Sequence, residues 1–473
     1  MCVFISRRLF PKSGAKFALQ TLPMHQNASS PRSSWTSRLG FILAAAGSAV
    51  GLGAIWKFPY MAGTNGGSIF LLPYIFFTLT IGLALLIGEM CMGRHARGGA
   101  GTAFRKLGGR AWGWAGLLSV LTGALVLAFY SVVGGWTVHY LVEACLGRGV
   151  AEDPSTMRSA FEAFAADPVS SIGCHAAFLT ATAAVVLCGV EKGIERVSKI
   201  LMPLLFILML VLIVRGLSLP GAFEGLRFLF KPDPSAFTGE ALLNAMGFAF
   251  FSLSVGSGSM MNYGSYLGED VKIGSSTTWI VLLAILASIL GGLMIMPAVF
   301  AFGLSPDAGP GLTFATMPAV FAKLPFGHLF AVAFYACLFV AAITSSISIL
   351  EMSTQYFVDE HGVSKRTAVV GVSTVLGLLG ILSALSFGPL ADVKIFGRTF
   401  FDLFDGFTSN IGMPIGCLSI ALVAGGVAWS ATRGELAKSG GWTQGALKAF
   451  RFVLLVLGPI VILAVAGKAL GLY

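Results

Sequence analysis

The stretch "AAAGSAVGLGAIWKFPY", residues 44–60, decides how this chain is read. It lies in the first strongly apolar segment and reads as part of a membrane-spanning helix, yet it carries Gly47, Gly51, Gly53 and Pro59. Each glycine weakens a helix interior by about 1 kcal/mol relative to alanine. Hydrocarbon penalises every backbone group left unpaired. The helix is therefore either packed unusually close to a neighbour or built to unwind at mid-depth.

Composition fixes the environment of that helix. The 473 residues are 56% hydrophobic and only 11% charged, with a mean hydropathy of +0.85. A soluble domain of this size needs far more charge on its surface. The apolar runs are long and continuous rather than alternating, which excludes an outer-membrane barrel. The fold class is all-α and polytopic. The net charge of +10 is spread over short loops and not gathered in one patch, so nucleic acid is not a partner. The seven cysteines show no CxxC and no Cys/His cluster, which argues against a metal centre built on thiolates. Cys145 and Cys174 flank one loop and can pair only if it faces an oxidising compartment.

Runs of spanning length number about eleven: 38–61, 67–92, 112–146, 171–190, 196–216, 240–266, 275–303, 328–358, 367–386, 398–428 and 447–470. The 93–111 loop holds Arg94, Arg97, Arg105, Lys106 and Arg110 and no acid, whereas the 147–170 loop sets Arg148 and Arg158 against Glu152, Asp153, Glu162 and Asp167. The positive-inside rule then puts the basic N-terminal tail and the first loop in the cytoplasm and the second loop outside. A multi-pass protein of the inner (plasma) membrane is expected. The tail carries no apolar core with a small-residue cleavage site, so it does not read as a signal peptide. Either Met1 or Met24 serves as its start.

The sixth run repeats the oddity of the first. "FFSLSVGSGSMMNYGSY", residues 250–266, carries Gly256, Gly258 and Gly264 among small hydroxyls. Runs one and six are five apart, an odd offset, so two five-helix units would face opposite ways in the membrane. Paired broken helices at matching places in two inverted halves mark a transporter site. Unwinding frees amides for an anion and carbonyls for a small cation. The competing reading of the same glycines is close helix packing through small residues. The expected organisation is a tail over 1–34, one repeat over 35–220, its inverted partner over 235–430, and a loop with an eleventh helix over 431–473.

These stretches, with "SSWTSRLGF" (33–41), "NGG" (65–67), "GEMCMGR" (88–94) and "AAITSSIS" (341–348), resemble the neurotransmitter:sodium symporter family. The resemblance covers about residues 32–430. It implies a five-plus-five inverted repeat and sodium-driven uptake of amino acids or related amines, and it looks most like the family's bacterial amino-acid carriers.

The resemblance also assigns residues. Amine carriers of the family hold an aspartate at the position of Gly51; amino-acid carriers hold glycine, leaving room for the substrate's own carboxylate. That carboxylate would meet the amides of Leu52 and Gly53 and the hydroxyl of Tyr130. The ammonium would meet carbonyls of Ala49, Phe251 and Ser252 and the hydroxyl of Ser254. Both charges are then satisfied without a buried protein ion. The side-chain pocket would be lined by Val126, Phe251, Ser254, Ser257, Ser345 and Ile349. Ser257 stands where the family's leucine carrier has a large aromatic residue, implying room for a larger apolar or aromatic amino acid. One sodium would sit on carbonyls of Gly47, Val50 and Ala341 and the hydroxyls of Thr344 and Ser345, five oxygens suited to a hard cation.

Two gates follow from the same resemblance. Outside, Lys57 and Asp405 would pair above Phe251; the family's arginine is replaced by a lysine, which lacks the bidentate fork. Inside, Arg32 would pair with Asp359, with Trp35 and Tyr266 nearby. Glu89 is an acid inside a span, hence functional by default; it is expected to brace the unwound sixth helix or to carry a proton. A second family sodium site looks dismantled. Ala54 replaces one asparagine ligand, and "TWIVLLAILASILGG" (278–292) offers none near Leu283. The anion site beside it keeps Tyr74, but Phe248 and Ala287 replace polar groups.

The function read from all this is import of a neutral amino acid with one sodium by alternating access. No enzyme motif is present, and no obligate protein partner is implied beyond substrate, sodium and membrane lipid. A sensor that binds without cycling is the rival; a channel is disfavoured because no charged pore rings are seen.

Overall fold

A computed structural model describes residues 34–306, 312–469 and 471. Among them, nine helices are long and apolar enough to cross a membrane, from Ser68–Ala96 to Gln444–Ala469. A tenth crossing is the bent pair Arg38–Ala49 and Gly53–Thr64, which turns by 48° at its break. The sixth crossing is assembled from two shorter helices, Gly239–Ser252 and Ser259–Ser265. Eleven crossings result, with the first and sixth broken in mid-course.

Each break has a local cause. In the first span regular helical bonding ends at Ala49 and resumes at Gly53, in a wide turn (Gly53–Lys57) that runs straight on into Phe58–Thr64, so Pro59 lies inside the second half-helix and not at the break. In the sixth span the backbone passes through left-handed geometry at Ser254 (φ 53°), Gly256 (φ 88°) and Gly258 (φ 84°). Glycine is needed at Gly256 for a second reason: a Cβ there would lie 2.6 Å from the Met413 carbonyl of the tenth span. A serine in the left-handed region is uncommon and strained, and it sits here in the middle of the break.

The unbroken spans form the frame. The third span (Arg110–Cys145) and the eighth (Gly327–His361) each have 72% of their most apolar window buried inside the protein, against 33% for the fourth (Pro168–Leu187) and ninth (Lys365–Leu385). The third and eighth therefore line the interior, and the fourth and ninth face outward. Several segments read as loops are helical: Ala100–Gly108, Pro154–Ala166, Ala222–Phe230 and Trp429–Lys438. The second of these is capped by Asp153, whose carboxylate accepts from the amides of Ser155 and Thr156, with Pro154 at its first turn. Cys145 and Cys174, which flank that loop, are free thiols.

One end of the bundle is tied by a buried arginine. Arg94 places Nε 2.6 Å from Glu435 Oε2 and donates to the carbonyls of Glu435 and Val271. Burial works against the Glu435 charge, but Arg94, Lys438 and His95 hold its carboxyl below the usual range.

Candidate functional site

The two breaks face each other across a narrow cleft with a free volume of about 40 Å³. It is lined by Ser48, Ala49, Gly51 and Gly53 from the first span, Gly123, Val126 and Tyr130 from the third, and Phe251, Ser254 and Ser257 from the sixth. Ser345 and Ile349 of the eighth span and Met413 of the tenth complete it.

Gly51 is at its tightest point. A Cβ there would collide with Ser345 Oγ and lie 2.8 Å from Tyr130 Oη. No side chain fits, so the cleft floor is bare backbone with two hydroxyls converging on it. The Leu52 amide donates to Tyr130 Oη at 3.0 Å. The amide freed by the helix break is thus held by the Tyr130 hydroxyl beside Gly51, where a carboxylate could exchange for it. Opposite them, Ser254 Oγ donates to the Ser48 carbonyl at 3.2 Å, and Ser257 Oγ donates to the Ser254 carbonyl at 2.8 Å. Carbonyl oxygens with spare acceptor capacity suit an ammonium. The Leu52 and Ser252 side chains do not line the cleft; Ser252 is buried and its hydroxyl donates to the Ala249 carbonyl at 3.2 Å.

Beside the cleft is a knot of neutral oxygens. Ser345 Oγ donates to the carbonyls of Gly47 (3.1 Å) and Ser48 (2.9 Å). Thr344 Oγ1 donates to the carbonyls of Val340 (3.0 Å) and Ala341 (3.1 Å). A Cβ at Gly47 would lie 3.2 Å from Thr344 Cβ, which shows how closely the first and eighth spans approach. Ser345 Oγ thus meets the Gly47 carbonyl and Thr344 Oγ1 meets the Ala341 carbonyl, buried and uncharged oxygens of a kind that fits a hard monovalent cation. Val50 closes the first half-helix with its amide on the Ala46 carbonyl. Among the described residues no three His, Cys, Asp or Glu side chains converge on a metal position.

Glu89 is buried in the second span and reaches the other break. Its carboxylate accepts from the amides of Gly256 (3.4 Å) and Met261 (3.3 Å), one on each side of the unwound turn.

The locus beyond Ser252 is filled. Phe248 packs against Phe58, Phe70, Tyr74 and Phe251, with ring centroids 5.1 to 6.4 Å apart. Tyr74 Oη is hydrogen-bonded to Ser288 Oγ at 2.9 Å. Sequence reasoning weighed Ala287 and passed over Ser288, one residue on. Ala54 is buried beside the backbone of Gly291, whose Cβ would fall 2.5 Å from its carbonyl.

The two ends of the cleft differ. Phe251 and Met413 separate it from a vestibule of about 240 Å³ that also touches Lys57, Asn244, Asn410 and Lys468. Lys57 and Asp405, expected to pair here, form no ion pair. Lys57 Nζ instead lies 4.1 Å from the Phe251 ring centroid, and Asp405 Oδ1 accepts from Ser409 Oγ at 3.0 Å. The reason is reach: an ammonium is drawn to the ring face, while Asp405 is satisfied within its own helix. Around the other expected gate Trp35 Nε1 donates to the Tyr263 carbonyl at 3.1 Å, and its ring lies edge-on to Tyr263 and Tyr266. Tyr266 Oη donates to Glu351 at 2.7 Å, and Glu351 also holds Lys365 at 2.7 Å. Asp359 accepts from the Gly99 amide and Gln355. Arg32, its expected partner, lies outside the described residues. Glu351 was missed in the sequence, although an acid in an apolar span was the signal that singled out Glu89.

Comparison with known proteins decides what kind of protein carries this geometry. The profile of the sodium:neurotransmitter symporter family matches residues 32–148 and 171–469. The chain belongs to that family. Symporters of this group that resemble it include the uncharacterized sodium-dependent transporter YhdH of Bacillus subtilis, 44% identical over 82% of this chain and 86% of its own length. An uncharacterized sodium-dependent transporter of Haemophilus influenzae is 32% identical over 86% of this chain and 92% of its own. Among solved structures, MhsT in complex with L-phenylalanine superposes with a TM-score of 0.86 at 41% identity, covering 93% of this chain and all of that one. This symporter is therefore a sodium-dependent transporter with the five-plus-five inverted-repeat fold, and not an enzyme.

Proposed function

We propose that this symporter imports a neutral, apolar or aromatic amino acid together with one sodium ion, by alternating access, across the inner (plasma) membrane with its N-terminus in the cytoplasm. The observation that carries the reading is Gly51. The cleft has no protein carboxylate to meet an amine and no room for one; the Leu52 amide and Tyr130 hydroxyl beside Gly51 call for the substrate's own carboxylate. The Ser48, Ala49 and Phe251 backbone with the Ser254 hydroxyl takes the ammonium, so a zwitterion is bound by neutral dipoles.

The apolar end formed by Val126, Phe251, Ile349 and Met413 suits an uncharged side chain, and MhsT is a related carrier seen with L-phenylalanine. Sodium sits among the Gly47, Val50, Ala341, Thr344 and Ser345 oxygens, joining the first span to the eighth. With substrate and sodium in place, the first, second, sixth and seventh spans rock against the third, fourth, eighth and ninth. Phe251 and Lys57 close the outer path, and the Trp35 cluster releases the inner one. A single coupled sodium is supported by the aromatic packing around Phe248 and by Ala54, which offers no oxygen beyond its backbone.

The deciding experiment is uptake of a panel of radiolabelled amino acids into proteoliposomes in sodium and in choline buffers. Concentrative, sodium-dependent accumulation of an apolar or aromatic amino acid is expected. Saturable binding without accumulation would instead make the protein a sensor of the same fold.

A further inference from the structure

The first half-helix, Arg38–Ala49, is held along its length by the fifth span, Val190–Leu217. Two glycines mark the seam. A Cβ at Gly40 would collide with the Glu195 carboxylate, and a Cβ at Gly47 would lie 3.2 Å from Met202 Sδ. Gly40 and Gly47 are seven residues apart, and so are Glu195 and Met202. The two helices therefore run side by side in the same direction for two turns, at a separation that only residues without a side chain allow.

The Glu195 end of the seam is polar and buried. Glu195 is 1% exposed in an apolar segment, where an acid is costly and needs partners. Thr36 donates to it through its amide at 2.8 Å and its hydroxyl at 2.5 Å, and Ser37 Oγ donates to it at 2.9 Å. Lys199 Nζ lies 2.7 Å away, one turn along the fifth span. Ser37 is also the N-cap of the half-helix, its Oγ accepting from the Gly40 amide at 3.0 Å. The carboxylate thus sits at the positive end of the helix dipole. At the negative end the Gly47 and Ser48 carbonyls are held to the eighth span by Ser345 Oγ, and Ser48 Oγ bonds Ser348 Oγ at 2.5 Å. An anion at one end and a site for a cation at the other suit the same dipole.

We propose that Glu195 is a positioning residue for sodium: it clasps the N-terminal end of the half-helix to the fifth span, so that clasp and ion hold one rigid body from opposite ends. The inference rests on the sodium placement proposed above. Glu195 is about 10 Å from that site along the helix, at roughly 1.5 Å per residue, and touches neither ion nor substrate. Its effect is carried by the twelve helical residues between them. Coupling of this kind is reciprocal: the clasp raises the affinity for sodium, sodium keeps the clasp shut, and loss of the ion frees the half-helix to leave the fifth span.

Equilibrium binding of radioactive sodium to the full chain in detergent tests this, together with hydrogen exchange across residues 36–42 in sodium and in choline. In the wild type sodium should slow that exchange. Glu195→Gln should raise the half-saturating sodium concentration about tenfold, within the usual range of coupling between sites, and should abolish the slowing. Thr36→Val with Ser37→Ala removes the donors and keeps the acid, and should do the same even if Glu195→Gln fails to fold. A lower melting temperature with an unchanged sodium isotherm in both variants would make the acid merely structural and overturn the proposal. So would exchange at 36–42 that ignores sodium in the wild type while Thr344→Ala with Ser345→Ala abolishes sodium binding. Wild-type sodium binding in that last variant would overturn the sodium placement itself, and the coupling with it.

Discussion

The hydroxyl of Ser345 on the eighth span donates to the carbonyl of Gly47 on the first at 3.1 Å, across 298 residues of sequence. That bond crosses between a half-helix expected to move and a frame helix expected to stay. A cation placed there reports on both. Replacing Thr344 and Ser345 together by alanine removes two hydroxyl oxygens from the knot. Sodium-stimulated substrate binding should collapse while helicity by circular dichroism and monodispersity remain. A double variant that keeps wild-type sodium dependence would place the ion elsewhere.

Tyr130 tests the substrate class. Tyr130→Phe leaves the Leu52 amide without its hydroxyl partner and deletes one hydrogen bond to a charged carboxylate, an interaction of about 1.5–3 kcal/mol. Affinity for amino acids should fall by about ten- to a hundredfold, measured by scintillation proximity. Decarboxylated analogues should bind the parent protein poorly and should be nearly indifferent to the substitution. An amine that outcompetes its own amino acid would sink the zwitterion reading.

Glu89 holds two amides on opposite sides of the sixth-span break. Glu89→Ala leaves both buried and unpaired, at about 1–3 kcal/mol each. The melting temperature should drop and substrate binding should be lost with it. Glu89→Gln keeps one carbonyl acceptor and should recover part of the stability. If Glu89→Gln proves as damaging as Glu89→Ala in melting but leaves sodium binding intact, bracing is not the role of this side chain.

Lys57 lies over Phe251 instead of pairing with Asp405. An exposed cation–π contact contributes about 0.5–1 kcal/mol. Lys57→Met should therefore speed substrate release by about two- to fivefold, read in a dilution chase, with little change in sodium dependence. Asp405→Asn should have a smaller effect than Lys57→Met. The reverse order would mean that the ion pair forms once substrate is bound.

Coupling follows from Ala54 and the Phe248 cluster. At about 100 mV, inside negative, one charge gains roughly 2.3 kcal/mol, and a tenfold sodium gradient adds about 1.4 kcal/mol. One ion thus supports accumulation on the order of several hundredfold, enough for useful uptake. Uptake should show a sodium Hill coefficient near one, no chloride requirement, and a reversal potential that shifts with a single ion. Ala54→Asn alone should not add a second ion, since Leu283 still offers no side-chain oxygen. Two coupled sodium ions in the wild type would show that backbone and water supply the missing ligands.

Residue type alone determined the break points and the environment. Glycine and proline act through local backbone freedom, and long apolar runs act through transfer to hydrocarbon, so residues 44–60 and 250–266 announced broken spans without any knowledge of their neighbours. Gly51, Tyr130, Thr344 and Ser345 were singled out through the family resemblance, which matched their motifs residue by residue. The tertiary structure decided what depends on distances between remote segments. Met413 and Gly123 reach the cleft only because the tenth and third spans pack where they do. Ser252 turns away from the cleft because its hydroxyl finds the Ala249 carbonyl behind it. Ser288, one position from the residue examined in the sequence, meets Tyr74 because helical rotation aims it there. Lys57 lies over the face of Phe251 while Asp405 bonds Ser409 within its own helix, because packing decides which partner a flexible ammonium meets, and no spacing along the chain records it.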